Sequence, residues 1–199
     1  MLQSGSLTGE VTAVTAEDNL VAAARRGDVE AFGKLFERHK DTVYAFVYKS
    51  IGRREDAEDI VQDTFRKAWL GIAGFRGGSS ILTWLCRIAM NLCADRARSA
   101  RMRVDLACDS GVDPDELGRM NGPQANVEAD VITRWRVESA LGTLPISHRM
   151  LVVLCDIQGF SCSEAARIMG CTVMSVRARL FRARQKLRHT LADLVEEVN

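Results

Sequence analysis

Residues 173–191 carry apolar side chains at the three- and four-residue spacing of one helix face, which restricts this part of the chain to a packed amphipathic helix. The stripe consists of Val173, Val176, Leu180, Ala183, Leu187 and Leu191. A rotation of about 100° per residue places other side chains on the opposite face, namely Arg177, Phe181, Arg182, Gln185 and Arg188, flanked by Arg179, Arg184 and Lys186. Guanidinium groups, an amide and an exposed aromatic ring suit the base edges and phosphates of DNA. A basic face that is merely solvated explains this helix equally well. The choice between DNA binding and solvation therefore depends on the residues that precede the helix.

Those residues predict a second, shorter helix and a tight turn. Ser161 and Glu164 have the spacing of a capping box, in which the Ser hydroxyl and the Glu carboxylate each bond the other residue's backbone N–H. Gly170 stands where a helix ends in the left-handed conformation, and Thr172 can begin the next helix. A short helix, a Gly-containing turn and a basic helix predict a helix-turn-helix at about residues 162–181. A plain αα-hairpin explains the apolar faces, but it leaves unexplained the six basic side chains between Arg177 and Arg188.

Bulk composition limits the function classes. The chain has 199 residues and a formal net charge of +1, but residues 104–130 hold seven carboxylates against the single base Arg119. This segregation favours specific, regulated DNA binding over indiscriminate coating of phosphates. No apolar run approaches the roughly 20 residues of a membrane span, and residues 1–15 lack the pattern of a secretion signal.

The cysteines show no CxxC pair and no zinc-type spacing with histidine, so neither a metal nor a cofactor is expected. Most of them lie among apolar neighbours in predicted helices, and they are predicted to be buried, reduced thiols of a cytoplasmic protein, with a redox role for Cys86 and Cys93 left open. The full set is Cys86, Cys93, Cys108, Cys155, Cys162 and Cys171.

The coarse organisation is all-α, with two small helical domains joined by a flexible acidic linker. Helical periodicity covers residues 18–27, 29–50, 54–72, 80–103, 131–144 and 147–158, and Asp28 and Ser80 are candidate N-caps. We therefore divide the chain into a disordered lead-in at 1–16, a first domain at 17–103, a linker at 104–130 and a second domain at 131–195.

Two segments of the first domain carry unusual polar groups. In residues 55–69 the outward patch consists of Glu58, Asp59, Gln62, Asp63 and Arg66. An acidic first turn complements the helix dipole, but this patch extends beyond one turn and includes a neutral amide. A protein-binding surface is therefore a second interpretation.

The other segment is a Gly-rich loop followed by a helix. The loop, residues 75–80, offers backbone amides and Ser hydroxyls to an unstacked base, and Trp84, Arg87 and Asn91 share a face of the helix behind it. Arg96, Arg98, Arg101 and Arg103 form a basic tail that can follow phosphates. A core position for Trp84 and a simple connector role for the loop remain the simpler alternative.

Together, these segments resemble the extracytoplasmic-function (ECF) branch of the sigma-70 family of bacterial RNA polymerase sigma factors. The resemblance covers about residues 18–193. It rests on residues 56–65 (DAEDIVQDTF), on residues 75–79 (FRGGS) with 83–91 (TWLCRIAMN), and on residues 159–171 (GFSCSEAARIMGC) with 176–184 (VRARLFRAR).

The resemblance implies roles for individual residues. Core polymerase would be bound through the clamp helices of its largest subunit by Asp59, Gln62, Asp63 and Arg66, with the flap of the second subunit as a further contact. The minus-10 element would be held by Phe75, Arg76, Gly77, Gly78, Ser79, Ser80, Trp84, Arg87 and Asn91. The minus-35 element would be held by Ser175, Arg177, Arg179, Phe181 and Arg182.

Control by an anti-sigma factor, and association with the nucleoid when in holoenzyme, are also expectations from the resemblance. Thr172 and Met174 depart from the Pro and Gly usual in the family, and Asp63 stands where Glu is commoner. Met174 falls on the outward face, so groove contacts or promoter preference are expected to differ from those of the family. The rival interpretations are a stand-alone helix-turn-helix regulator that binds DNA as a dimer, which leaves the first-domain segments unexplained, and a small helical enzyme. No P-loop, GxSxG or HExxH motif occurs, and His39, His148 and His189 lie far apart in sequence.

Overall fold

The computed structural model describes the backbone of residues 15–108 and 129–192 and the side chains of residues 15–99 and 136–192. Within these ranges the regular structure is helical. The helices are α1 (Ala16–Arg25), α2 (Val29–Ile51), α3 (Arg54–Gly71), α4 (Ile81–Cys108), α5 (Ala129–Gly142), α6 (Ile146–Val152), α7 (Cys162–Met169) and α8 (Val173–Thr190). A 3₁₀ turn (Ile72–Gly74) follows α3, and a π turn (Val153–Ile157) follows α6.

The predicted N-caps are confirmed by their hydrogen bonds. Each accepts from the backbone N–H three residues further on: Asp28 at 3.0 Å, Ser80 at 3.1 Å, Ser161 at 3.2 Å and Thr172 at 3.2 Å. Caps of this kind satisfy amides that have no partner inside the helix. Local sequence therefore sets where α2, α4, α7 and α8 begin.

Helix α4 extends further than the sequence pattern predicts. It continues to Cys108, five residues beyond the predicted end at 103. Residues 104–108 contain no glycine or proline to end the helix, they include the good helix formers Leu106 and Ala107, and the first glycine comes only at Gly111. Thr15 and Ala16, at the end of the predicted lead-in, cap and begin α1, and Ala129 and Asp130, at the end of the predicted linker, begin α5. Residues 1–14 and 109–128 and the side chains of Arg101, Arg103 and Cys108 lie outside the described residues.

Helix α2 forms the centre of the first half of the molecule. It packs against α1, α3 and α4, and its side chains Val43, Phe46 and Val47 are fully buried. In the second half, α8 packs against α6 and α7. The buried apolar residues of both halves belong to one hydrophobic cluster, so the two predicted domains share a core.

The two halves meet along an interface that we call the seam, where α6 packs against α2 and α7 packs against α4. Arg149 Nη1 donates to the carbonyl oxygen of Ser50 at 3.0 Å, and Gln158 Nε2 donates to that of Thr42 at 2.8 Å. Arg149 Nη2 also donates to the carbonyls of Gly142 at 2.7 Å and Leu144 at 3.3 Å. One guanidinium thereby satisfies carbonyls near the ends of α2 and α5, which carry partial negative charge.

No helix in the described ranges is long and apolar enough to cross a bilayer. Cys86 and Cys93 are fully buried, and burial raises the pKa of each thiol to about 12. Both are therefore protonated near neutral pH. Cys155, Cys162 and Cys171 are only partly buried.

Candidate functional site

The outer face of α8 is exposed, as its periodicity predicts. Val176, Leu180 and Ala183 are buried, while the predicted DNA-binding residues Arg177, Phe181 and Arg182 are exposed and Ser175 and Arg179 are half-buried. Phe181 is 70% exposed. Such exposure of an aromatic ring stabilises nothing within the fold, so this face is available to a partner.

The basic side chains of α8 divide into two groups. Arg184 forms two hydrogen bonds to Asp156, at 2.6 and 3.2 Å, and Lys186 Nζ donates to the carbonyl of Thr143 at 2.7 Å. Arg177 and Arg182 form no ion pair with any described residue, and both point outward. The first group fastens α8 to its own half, and the second is left for an anion.

The turn before α8 is fixed by its predicted residues. The capping box of Ser161 and Glu164 is present, and hydrogen bonds to Ser161 lower the pKa of the Glu164 carboxyl. Gly170 ends α7 at φ 62°, a left-handed conformation that favours glycine. These contacts set the helix-turn-helix geometry that presents the outer face of α8.

The polar patch on α3 is held by surface ion pairs. Asp63 accepts from Arg66 at 3.0 Å, Asp59 pairs with Arg96 at 3.3 Å, and Gln62 is exposed. Ion pairs at such exposure contribute about 0–1 kcal/mol. All four predicted residues therefore lie on one accessible surface and can exchange these bonds for a protein partner at small cost.

Arg96 differs from its predicted role as part of a basic tail. Its guanidinium lies 3.0 Å from Asp56 and 3.3 Å from Asp59, and Arg98 pairs with Asp95. Both cations are drawn to nearby carboxylates, one across helices and one on the same helix. The difference is tertiary, because the packing of α3 against α4 cannot be seen in local spacing.

Phe75 also departs from its predicted place. Its side chain is only 8% exposed, and its ring packs against Trp84 with centroids 5.2 Å apart. The ring supports the base of the loop from inside, where it removes apolar surface from water. It is thus poorly placed to stack on a base, and the partly buried position of Trp84 agrees with the simpler alternative for that residue.

The rest of the loop is open. Arg76, Gly77 and Gly78 are exposed and Ser79 is half-buried, while Gly77 has a positive φ of 73°, which favours glycine. Ser80 is exposed, but its hydroxyl also caps α4. The loop therefore offers backbone groups and one guanidinium.

The loop and α1 together form an open cleft of about 330 Å³. Glu17, Asp18 and Arg25 line it from α1, and Arg76 and Gly77 line it from the loop. Its size is at the lower end of the range for small-molecule sites, about 300–1,000 Å³. The contribution of α1 was absent from the sequence-based site because only the tertiary fold brings residues 17–25 beside residues 76–80.

Arg87 and Asn91 are exposed on α4. They lie one turn apart on the helix that begins at the loop, so a cationic group and an amide continue the loop's surface along α4. Met174, near the start of α8, is 72% exposed, which agrees with its predicted outward position. No cluster of metal-ligating side chains occurs in the parts of the chain that are described.

Comparisons with known proteins agree with this layout. Residues 35–103 match the family Sigma-70 region 2, and residues 134–187 match Sigma-70, region 4. The chain is 34% identical over 180 residues to the ECF RNA polymerase sigma factor SigM of Mycobacterium tuberculosis, covering 90% of this chain and 87% of SigM. It is 38% identical over 178 residues to the RNA polymerase sigma factor CnrH of Cupriavidus metallidurans, covering 84% of this chain and 90% of CnrH.

Two solved structures share the fold. CnrH in complex with the cytosolic domain of CnrY matches with a TM-score of 0.66 and 32% identity, over 90% of this chain and 99% of that one. The sigma factor RpoE of Bartonella quintana, in complex with the anti-sigma factor NepR, matches with a TM-score of 0.67 and 26% identity, over 82% and 98%. The α3 patch, the loop with α4 and the outward face of α8 are thus the surfaces of a chain that belongs to the ECF sigma factors of the sigma-70 family.

Proposed function

We propose that this protein is a dissociable promoter-specificity subunit of bacterial RNA polymerase. It binds the core enzyme, reads the minus-35 element and opens the minus-10 element. The observation that carries the proposal is that three separate exposed polar surfaces, on α3, on the loop with α4 and on α8, occur in one chain of this family. Sigma factors are non-enzymatic DNA-binding regulators, and the proposed work is alignment and trapping rather than covalent chemistry.

Core binding is assigned to the α3 patch. Asp59, Gln62, Asp63 and Arg66 face the clamp helices of the largest subunit, while the second half contacts the flap of the second subunit. The exposed ion pairs of Asp59 and Asp63 support this assignment, because they are weak enough to be replaced by basic groups of a partner.

Promoter opening is assigned to the loop and the outer face of α4. Arg76, Gly77, Gly78 and Ser79, with Arg87 and Asn91, contact unpaired bases of the minus-10 element. Binding the single-stranded form more tightly than the duplex shifts the melting equilibrium towards the open state. Phe75, Trp84 and Ser80 act beneath these groups, by packing and by capping α4.

Minus-35 recognition is assigned to the outer face of α8. Arg177 and Arg182 reach guanine edges or phosphates, and Phe181 reaches an apolar base edge. Ser175 and the half-buried Arg179 lie at the margin of this face. Residues 17–103 would form region 2, residues 131–195 region 4 and residues 104–130 the connection that spans polymerase.

Control by an anti-sigma factor is part of the proposal. It is supported by the two solved relatives, one bound to the cytosolic domain of CnrY and the other to the anti-sigma factor NepR. The expected location is the cytoplasm, with the nucleoid as the site of the assembled holoenzyme.

The deciding experiment is transcription in vitro with purified core polymerase on a library of genomic fragments. The expected result is initiation at a new, shared set of start sites only when this protein is added. A gel shift without core polymerase distinguishes this function from that of a stand-alone helix-turn-helix regulator, because such a regulator binds its duplex DNA without the polymerase. Failure to join core or to redirect initiation would overturn the proposal.

A matched variant tests the α3 patch. The double substitution Asp59→Arg and Asp63→Arg places positive charge opposite the proposed basic partner surface, and core capture in a pull-down should fall at least tenfold. Glu30→Arg, another exposed acidic position near a helix start, is the control and should bind normally. Undiminished capture of the double variant would remove the assignment of this patch.

A further inference from the structure

Large apolar side chains are rarely exposed in the described part of the chain, and two of those that are lie on α8. Met174 is 72% exposed and Phe181 is 70% exposed. Neither belongs to the buried cluster or packs against it. Exposed apolar groups on a surface that otherwise carries charge indicate a contact site.

The two side chains share one line along the helix. At 100° per residue, Phe181 lies about 20° from Met174 around the helix axis, whereas Arg177 and Arg182 lie about 60° and 80° away on opposite sides. Ala178 and Gln185 lie between the two arginines in the same projection, and so does the exposed Arg188, one turn beyond Gln185. From Met174 to Gln185 the outer face of α8 therefore has a neutral ridge with a guanidinium on each side, and Arg188 ends this ridge.

The position of Met174 on the helix also matters. Thr172 is the N-cap, so Met174 is the second residue of α8. The first residues of a recognition helix are those that contact base edges. The side chain of Met174 is unbranched and flexible and ends in a polarizable thioether, so it can adjust its position to contact an apolar group of a partner.

We propose that Met174 is a specificity-determining residue that contacts the C5-methyl group of a thymine in the minus-35 element. The proposal rests on the proposed function and extends it from affinity for DNA to a preference for a particular base. In the major groove, the thymine methyl is the apolar feature that distinguishes this base from the others. The flanking arginines hold phosphates or guanines while the ridge meets the methyl groups.

The spacing of the ridge gives the proposal a second, quantitative part. Met174 and Phe181 are seven positions apart, which is about 10 Å along the helix axis. This distance spans at most about three base steps of 3.4 Å, because a helix in the major groove is inclined to the DNA axis. We therefore expect two methyl-dependent positions no more than about three steps apart, one of which is lost when each side chain is removed.

The test replaces each thymine of a minus-35 element by deoxyuridine, which removes the methyl and keeps the base-pairing edge. Holoenzyme containing the unaltered protein should bind one such DNA about fourfold more weakly, the equivalent of about 0.8 kcal/mol for one buried methyl group. Met174→Ala should bind more weakly to the thymine-containing DNA and lose the difference at that one position. Met174→Leu, which keeps an apolar side chain, should retain it.

Two controls separate the explanations. Val29→Ala removes an equally exposed apolar side chain on α2 and should leave every deoxyuridine effect intact. Phe181→Ala should remove the effect at the second position only. Equal sensitivity of the Met174→Ala and unaltered holoenzymes to deoxyuridine at every position would overturn the inference, and so would a uniform loss that ignores base identity. Absence of any promoter binding by the unaltered holoenzyme would instead overturn the proposed function.

Discussion

The seam and the outer face of α8 use the same residue type in opposite ways. Arg149 lies in the seam, where its two terminal nitrogens donate to carbonyls of Ser50, Gly142 and Leu144, and burial lowers its pKa. Arg177 and Arg182 on α8 remain exposed and form no ion pair with a described residue. The comparison teaches that the environment, not the charge, divides arginines that hold the fold from arginines left for a partner.

The sharpest way to break the comparison is to remove the exposed pair. Arg177→Ala with Arg182→Ala should lower holoenzyme affinity for the minus-35 element about 100-fold, since each base or phosphate contact contributes about 1–3 kcal/mol. The free energy of unfolding should change by less than about 0.5 kcal/mol. Footprinting and urea unfolding measure the two effects.

Arg184→Ala is the control on the same helix, because its guanidinium is occupied by Asp156. It should leave the upstream footprint in place. A footprint that survives removal of Arg177 and Arg182 would count against the groove assignment.

The converse test removes Arg149, the half-buried arginine of the seam. Arg149→Ala leaves three carbonyls without their donor and should reduce the free energy of unfolding by about 2 kcal/mol. Arg149→Lys restores charge but not the forked donor geometry, so an intermediate loss is expected. Arg188→Ala, an exposed change on α8, serves as the stability control, and equal stability of the two alanine variants would refute the distinction.

A smaller effect is expected on the other exposed surface. Asn91→Ala should slow or weaken open-complex formation about fivefold, the equivalent of about 1 kcal/mol for one hydrogen bond, with core binding unchanged. Permanganate reactivity of unpaired thymines measures opening, and a pull-down measures core binding. Normal opening would remove Asn91 from the minus-10 surface.

The smallest effect concerns two histidines whose pKa values lie below the ordinary 6.5. Burial is the main cause for His39, opposed by Glu17 at 3.0 Å, and burial is also the main cause for His148, aided by Arg179, Arg182 and Lys186. As the pH falls, the unfolded chain therefore takes up these protons at a higher pH than the folded protein does. The contribution of the two neutral histidines to the free energy of unfolding is complete above pH 6.5 and is lost as the pH falls towards their lower pKa in the folded state. His39→Gln should flatten part of that decline, and an unchanged slope in urea unfolding from pH 7.5 to 5.5 would contradict it.

Much of the local structure could be predicted because it depends on neighbouring residues. The caps Asp28, Ser80, Ser161 and Thr172 and the left-handed Gly170 are decided within three or four residues. The buried stripe of α8 also follows from periodicity alone. These features are the ones that propensity and spacing encode.

The remaining features depend on contacts between distant segments. Phe75 is buried by Trp84, Arg96 is claimed by Asp56, and the cleft takes one wall from α1. Arg149 and Gln158 carry no pattern that distinguishes them from solvated residues, yet they bond carbonyls 99 and 116 positions away. Residue spacing along the sequence carries no information about such distant pairs, so the seam could not be predicted without the three-dimensional fold.

The seam has a consequence for the length scale on which the protein works. In the proposed function the minus-35 and minus-10 elements lie about 25 base pairs apart, which is roughly 85 Å of B-form DNA. A compact body the size of the described ranges, 15–108 and 129–192, has a radius of gyration of about 15 Å. We therefore expect that a chain closed across Arg149 and Gln158 cannot reach both proposed elements at once. On that proposal its two halves separate before initiation, and the strength of the seam sets the free energy that polymerase and DNA together have to supply.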